Sequence, residues 1–211
     1  IFNGFIMVAS FQSYVIIYYV FAGNQSLGAE YAGWAGTVSA IATFCVIFLV
    51  SWLSTQIGKR RAFFITTGVS MLGYALKWFC YTPQYPLLLL LPAPLIAFGL
   101  GGLFTLMGSM IADVCDYDEL ETGKRREGVF GAIYWWMVKF GFAIAGLLSG
   151  LILTLVGFDQ DIAAQSPETL ERLKLAYIIV PMSGTLLAIA IMARYDLSEQ
   201  KAHEIRQQLE A

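Results

Sequence analysis

The feature that most constrains this chain is a series of apolar runs too long for a water-soluble core. "LLLLLPAPLIAFGLGGLF" at 87–104 is the clearest. A hydrocarbon layer of ~30 Å takes roughly 20 apolar residues in a helix, and six segments qualify, at about 1–22, 31–54, 62–80, 87–111, 128–157 and 174–194. A membrane barrel needs polar and apolar residues to alternate in ~10-residue units, and these runs do not alternate. Only 13% of the residues are charged, about half the share usual in soluble domains. The expected fold is therefore all-α: a polytopic bundle of six transmembrane helices over 1–195, with a polar tail at 196–211.

Charge placement gives the orientation. Lys59, Arg60 and Arg61 lie between the second and third spans, and Lys124, Arg125 and Arg126 between the fourth and fifth. Arg194, Lys201 and Arg206 follow the sixth. These nine of the thirteen cations fall on one side of an alternating bundle, which the positive-inside rule makes cytoplasmic, together with both ends of the segment. Ile1 already lies in an apolar run with no signal-peptide pattern, so the sequence reads as a piece of a longer chain. A net charge of −2 gives no reason to expect nucleic acid. Cys45, Cys80 and Cys115 are odd in number and far apart, as packing residues are.

Lys139 stands apart. It lies about eleven residues into the fifth span, ~16 Å deep at 1.5 Å per residue. A lysine there costs at least ~2.5 kcal/mol and is too deep to snorkel easily. It is expected to face a bundle interior or a wet cavity, either as a ligand-binding group or as a structural lysine satisfied by a neighbouring helix. Trp135, Trp136 and Phe142 lie within helical reach, and an aromatic ring beside an ammonium suits a sugar. Lys77, one turn from the end of the third span and beside Trp78 and Tyr81, reads instead as a snorkelling interfacial anchor. Asn3, Ser10, Gln12, Tyr14, Tyr18 and Tyr19 form a polar stripe on the first span, either a cavity wall or an interhelical hydrogen-bond seam. Gly141, Ala145 and Ser149 form one small-residue ladder, Gly146 and Gly150 another, and Gly99, Gly101 and Gly102 a cluster; each permits close helix packing. Pro92 and Pro94 open the fourth span, where a missing N–H costs least.

The joint "DVCDYDELETGKRREG" at 113–128 holds six acids and three cations. Asp113 and Asp116 sit where the fourth span leaves the membrane, placed to pair with cations of another helix end as a conformational latch. "IGKRR" at 57–61 and "TGKRR" at 122–126 echo one another, by repetition or by coincidence. The tail has Leu197, Ile205 and Leu209 roughly on one face of a short amphipathic helix, which either docks on the helix ends or stays disordered.

The pattern Asp113-x-x-Asp116-Tyr117-x-Glu119-x-x-Thr122-Gly123-x-Arg125-x-Glu127-Gly128, with Lys139 eleven residues on, resembles the glycoside–pentoside–hexuronide:cation symporters, melibiose permease-like members of the major facilitator superfamily. "YYVFAG" at 18–23, "GKRR" at 58–61, "QSPETLERLKLAYIIVP" at 165–181 and "YDLSEQKAHEI" at 195–205 agree. The resemblance implies the C-terminal half of a twelve-helix fold. It implies that Lys139, Trp135, Tyr134, Val138 and Phe104 line a sugar cavity, which Tyr14 of the first-span stripe would join. It implies gating roles for Asp113, Asp116 and Arg125, with Arg61 of the matching basic joint. A sugar-like substrate, the N-terminal half and the bilayer are the expected partners. No cofactor is expected beyond a coupling Na⁺ or H⁺, held in the N-terminal half. A lipid-like substrate and a non-transporting scaffold are the alternatives. Enzyme chemistry is not expected: the single histidine, His203, is in the tail, and no metal or nucleophile–base pattern occurs.

Overall fold

The computed structural model describes residues 11–159, 162, 165–195, 197 and 199–210. Every regular element among them is helical. The chain runs α1 (Phe11–Val20), α2 (Gln25–Ile57), α3 (Lys59–Cys80), a 3₁₀ turn (Pro86–Leu90), α4 (Pro92–Thr122), α5 (Glu127–Leu155), α6 (Pro167–Met192) and α7 (Glu199–Glu210). α2 to α6 are long and apolar enough to cross a membrane. α1 is the described part of the first expected span, which changes to π-helical geometry over Val15–Val20. Asn3 and Ser10 of the polar stripe lie outside the described residues.

Local chemistry sets the helix ends. The Asn24 side chain accepts the Leu27 N–H at 3.1 Å and starts α2. Ser166 does the same for Thr169 at 3.1 Å, with Pro167 pre-set for the first helical position. α6 thus begins about two turns before the apolar run that announces it. Gly58 and Gly123, the glycines of the two echoing basic motifs, adopt φ +83° and +66°, a region that favours glycine. Gly58 turns the chain straight from α2 into α3, whereas Gly123 ends α4 and three further residues precede α5. The fourth helix departs most from its apolar run. Residues 86–90 form a 3₁₀ turn, and α4 then continues past the apolar residues through most of the acidic joint to Thr122. Asp113 and Asp116 therefore project from one helix face instead of a loop.

α3 and α4 bury the most surface, α2 and α5 the least. The inward stripe of α3 carries Ala62, Phe63, Thr66, Thr67, Ser70, Gly73, Tyr74 and Lys77, a helical period. α4 lays its glycines against it: Gly102 meets Thr66, Gly99 meets Ser70, and Gly101 meets Val46 of α2. A Cβ at Gly102 would sit 2.6 Å from Thr66 Oγ1, and one at Gly101 2.9 Å from Val46 Cγ1. The cluster sets the helix spacing. The two ladders on α5, alike in sequence, part company. Gly141, Ala145 and Ser149 are buried, while Gly146 and Gly150 meet nothing within 4 Å.

Gly102→Val is expected to overpack the α3–α4 contact by about 1–3 kcal/mol and lower the melting temperature of the detergent-purified protein. Gly68→Ala on α3, where an added Cβ meets open space, should melt as the parent does. Unchanged melting of the Gly102 variant would contradict the packing.

Candidate functional site

Two groups of charged and polar residues stand out, one at each end of the bundle, and a third set lies along α5.

At the basic end the hub is Asp113, 4% exposed. Lys59, the first residue of α3, donates Nζ–H to its Oδ2 at 2.5 Å. Arg206 of α7 pairs with its other oxygen and donates Nε–H to Asp116 at 3.3 Å. One carboxylate thus joins α3, α4 and α7. Glu199 accepts the Lys59 backbone N–H at 3.3 Å, Arg60 donates to the Ala193 carbonyl at 2.7 Å, and Lys201 lies 5.3 Å from the Tyr117 ring centroid. Ala202 and Ile205 are buried, so the tail docks as a helix on the ends of α3 and α4. Partial burial works against the Arg206 charge, but Asp113 and Asp116 more than offset it and leave its pKa raised. A cavity of about 570 Å³ opens here, lined by Lys59, Arg60, Arg61, Asp113, Tyr195 and Glu199 among others.

The expected gate residues are only partly together. Asp113 and Asp116 share Arg206, and Arg61 is exposed at the cavity wall. Arg125 is not with them: it pairs with Glu119 at 3.0 Å and with Glu127. Its neighbour Arg126 donates to Asp118 at 2.8 Å. The cations that do bind Asp113 are 54 and 93 residues away in sequence, beyond the reach of local spacing.

Along α5, Lys139 and Trp135 are exposed in this chain, and Tyr134 and Val138 are half-buried beside the packed seam. Lys139, Trp135 and Gly146 fall on one face, turned away from the Gly141–Ala145–Ser149 seam. Among the described residues no carboxylate pairs with Lys139. Phe104 is 44% exposed on α4. Tyr14 is half-buried on α1, edge-on to Phe158 at 5.1 Å. The six expected wall residues are spread over three helices. They lie on α1, α4 and α5, with Lys139 on a face that α5's own bundle leaves open.

Lys77 corrects the anchor reading. It does not snorkel; it is 2% exposed. Its Nζ sits 3.6 Å from the Tyr177 ring centroid, 5.2 Å from that of Tyr74 and 5.9 Å from that of Tyr81, and has no hydrogen-bond partner among the described residues. Tyr74 and Tyr81 are three and four residues away on the same face, but Tyr177 comes from α6. Lys174 of α6 lies in the same neighbourhood with its needs met, donating to the Tyr81 carbonyl at 2.9 Å and to the Tyr19 hydroxyl at 3.2 Å. Desolvated cation–π contact supplies about 2 kcal/mol, against several kcal/mol for removing an ammonium from water. The rings alone do not compensate Lys77.

An all-helical bundle with membrane-length spans and cations inside it defines a multi-pass membrane protein. The chain belongs to the MFS/sugar transport protein family, whose model matches residues 3–199, in agreement with its symporter-like joint. Similar proteins include the "Glucuronide carrier protein homolog" of Escherichia coli (strain K12), 31% identical over 74% of this chain and 34% of that one. The "Isoprimeverose transporter" of Lactiplantibacillus pentosus is 29% identical over 69% and 30% respectively. The "Uncharacterized symporter sll1374" of Synechocystis sp. (strain ATCC 27184 / PCC 6803 / Kazusa) is 29% identical over 97% and 38%. The chain thus spans roughly a third of the length of these relatives. The family is one of membrane transporters, not enzymes.

Asp113→Asn leaves Lys59 and Arg206 without their shared charge, a loss of about 1–3 kcal/mol. The expected outcome is release of α7, read as faster tryptic cleavage at Lys201 and Arg206. Cleavage at the parent rate would contradict the hub.

Proposed function

We propose that this chain is the C-terminal six-helix half of a secondary transporter that carries a sugar or glycoside together with Na⁺ or H⁺ by alternating access. The observation that carries the proposal is Lys139: a cation at membrane depth, on a face of α5 that its own bundle leaves open. In transporters of two repeated halves the substrate site lies between them near the midplane, and the open face of α5 suits a wall of such a site. Trp135 shares that face and offers a ring for a sugar to stack on. Tyr134, Val138, Phe104 and Tyr14 are the further wall residues in this reading. The names of the similar carriers favour sugar-like substrates. The coupling cation belongs to the N-terminal half.

The basic end is the cytoplasmic end of a bacterial inner-membrane protein, since most of its cations collect there. Asp113 and Asp116 are then the gate carboxylates, with Lys59 and Arg206 as the cations they hold in this state, Arg61 at the cavity wall, and Arg125 a gate cation held apart from them by Glu119 and Glu127. Ion pairs of this kind, made in one conformation and broken in the other, bias the exchange between inward and outward forms.

Lys139→Ala in the full-length transporter is expected to abolish substrate accumulation while the protein still reaches the membrane at parental levels. Accumulation at the parental rate would refute the assignment. Neutralising Asp113 should also change the accessibility of cysteines placed on either side of the site; identical labelling would count against the gate.

A further inference from the structure

The basic end carries more positive charge than its ion pairs use. The cavity of about 570 Å³ there lies among the turn from α2 to α3, the face of α4 that bears Met110 and Asp113, and the chain beyond α6. Three consecutive cations line it, Lys59, Arg60 and Arg61, against two carboxylates among the described residues, Asp113 and Glu199. Asp113 is shared with Arg206 of α7, so the wall stays positive. Lys59 is committed to Asp113. Arg60 gives one N–H to the Ala193 carbonyl, of the five that a guanidinium holds. Arg61 is exposed, and among the described residues no carboxylate pairs with it. Much of the remaining wall is apolar, with Ile57, Phe64 and Leu197, and the Arg60 guanidinium lies 5.9 Å from the Phe64 ring centroid. Trp52, five residues before Ile57 on α2, and Ile65, next to Phe64 on α3, are exposed. A tryptophan near the end of a span marks the membrane–water interface, which puts the cavity at the level of the lipid headgroups.

We propose that this cavity seats the phosphodiester of an anionic phospholipid of the surrounding bilayer, with Arg60 and Arg61 on its phosphate oxygens. The planar guanidinium fork matches phosphate geometry, and a basic pocket between helix ends at the membrane surface suits an anionic headgroup. A zwitterionic headgroup brings its own cation to the same place, so preference for anionic lipid is the signature of the site. The apolar wall decides between a lipid and a free phosphate. A lipid lays its glycerol backbone and first methylenes over Ile57 and Phe64; a free phosphate leaves them against water. Asp113 keeps Lys59 and Arg206, so the hub and the lipid use different cations. The proposal rests on α2 to α6 crossing a membrane and is independent of what the protein carries.

The test is the melting temperature of the purified full-length protein in an uncharged detergent, titrated with dioleoylphosphatidylglycerol, dioleoylphosphatidylcholine or sodium phosphate. A ligand of the folded state raises melting in a saturable way. Phosphatidylglycerol is expected to reach half its effect at a concentration at least about fivefold below that of phosphatidylcholine, the scale of one basic side chain at an anionic surface. Arg61→Gln should cut that preference by about fivefold, and the Arg60→Gln, Arg61→Gln double variant should abolish it. Lys124→Gln removes an exposed cation from the same end but outside the cavity, and should keep the parental preference. Equal response to the two lipids would overturn the proposal, as would a preference that the double variant retains. A loss as large in Lys124→Gln would replace the site with diffuse surface charge. Sodium phosphate as effective as phosphatidylglycerol would make the ligand a free anion, which also overturns it. If the double variant does not fold, Arg61→Gln decides alone.

Discussion

Oil has no partner to offer a charge, and the arrangement of this bundle follows from that. Four cations lie outside the basic joints and tail: Lys77, Lys139, Arg172 and Lys174. Each meets the constraint differently. Arg172, near the start of α6, pairs with Glu168 one turn back. Lys174 finds a hydroxyl and a carbonyl. Lys77 is enclosed by three tyrosine rings. Lys139 stands on an open helix face. The first two find polar partners within the chain, Lys77 is met by rings alone, and Lys139 is left exposed.

The basic end has the opposite economy. Charges are plentiful there, and one buried carboxylate organises them. Asp113 draws Lys59 from the start of α3 and Arg206 from α7 onto α4. The tail helix is thereby fixed to α3 and α4, which pack closely through the glycines of α4. A change at Asp113 is mechanically connected to α3, α4 and α7 at once.

Much of this was legible in the sequence. Long apolar runs gave the membrane-length helices, because lipid leaves the backbone few alternatives. The acidic joint and Lys139 gave the family, which the comparisons support. What escaped were relations between distant segments. The two small-residue ladders of α5 have the same composition, and spacing gives a face without saying which face has a neighbour. Lys77 looked like an interfacial anchor because Trp78 and Tyr81 adjoin it; the burial comes from Tyr177, one hundred residues on in α6. Arg125 sits in the joint with Asp113, yet the cations that reach Asp113 come from Lys59 and Arg206. The acidic stretch looked like a loop because it is polar, but α4 continues until Gly123 can adopt its positive φ. The tail was open between docking and disorder until two buried apolar residues and Arg206 fixed it. The role of the six expected wall residues depends on what faces α5.

The central claim is that the open face of α5 borders water and ligand, not acyl chains. It is tested most directly by replacing Lys139 with cysteine in the full-length protein in membranes and treating it with a membrane-impermeant maleimide. The account predicts labelling, at a rate well above that of a cysteine at a lipid-facing position of equal depth. Labelling no faster than that lipid-facing control would contradict it.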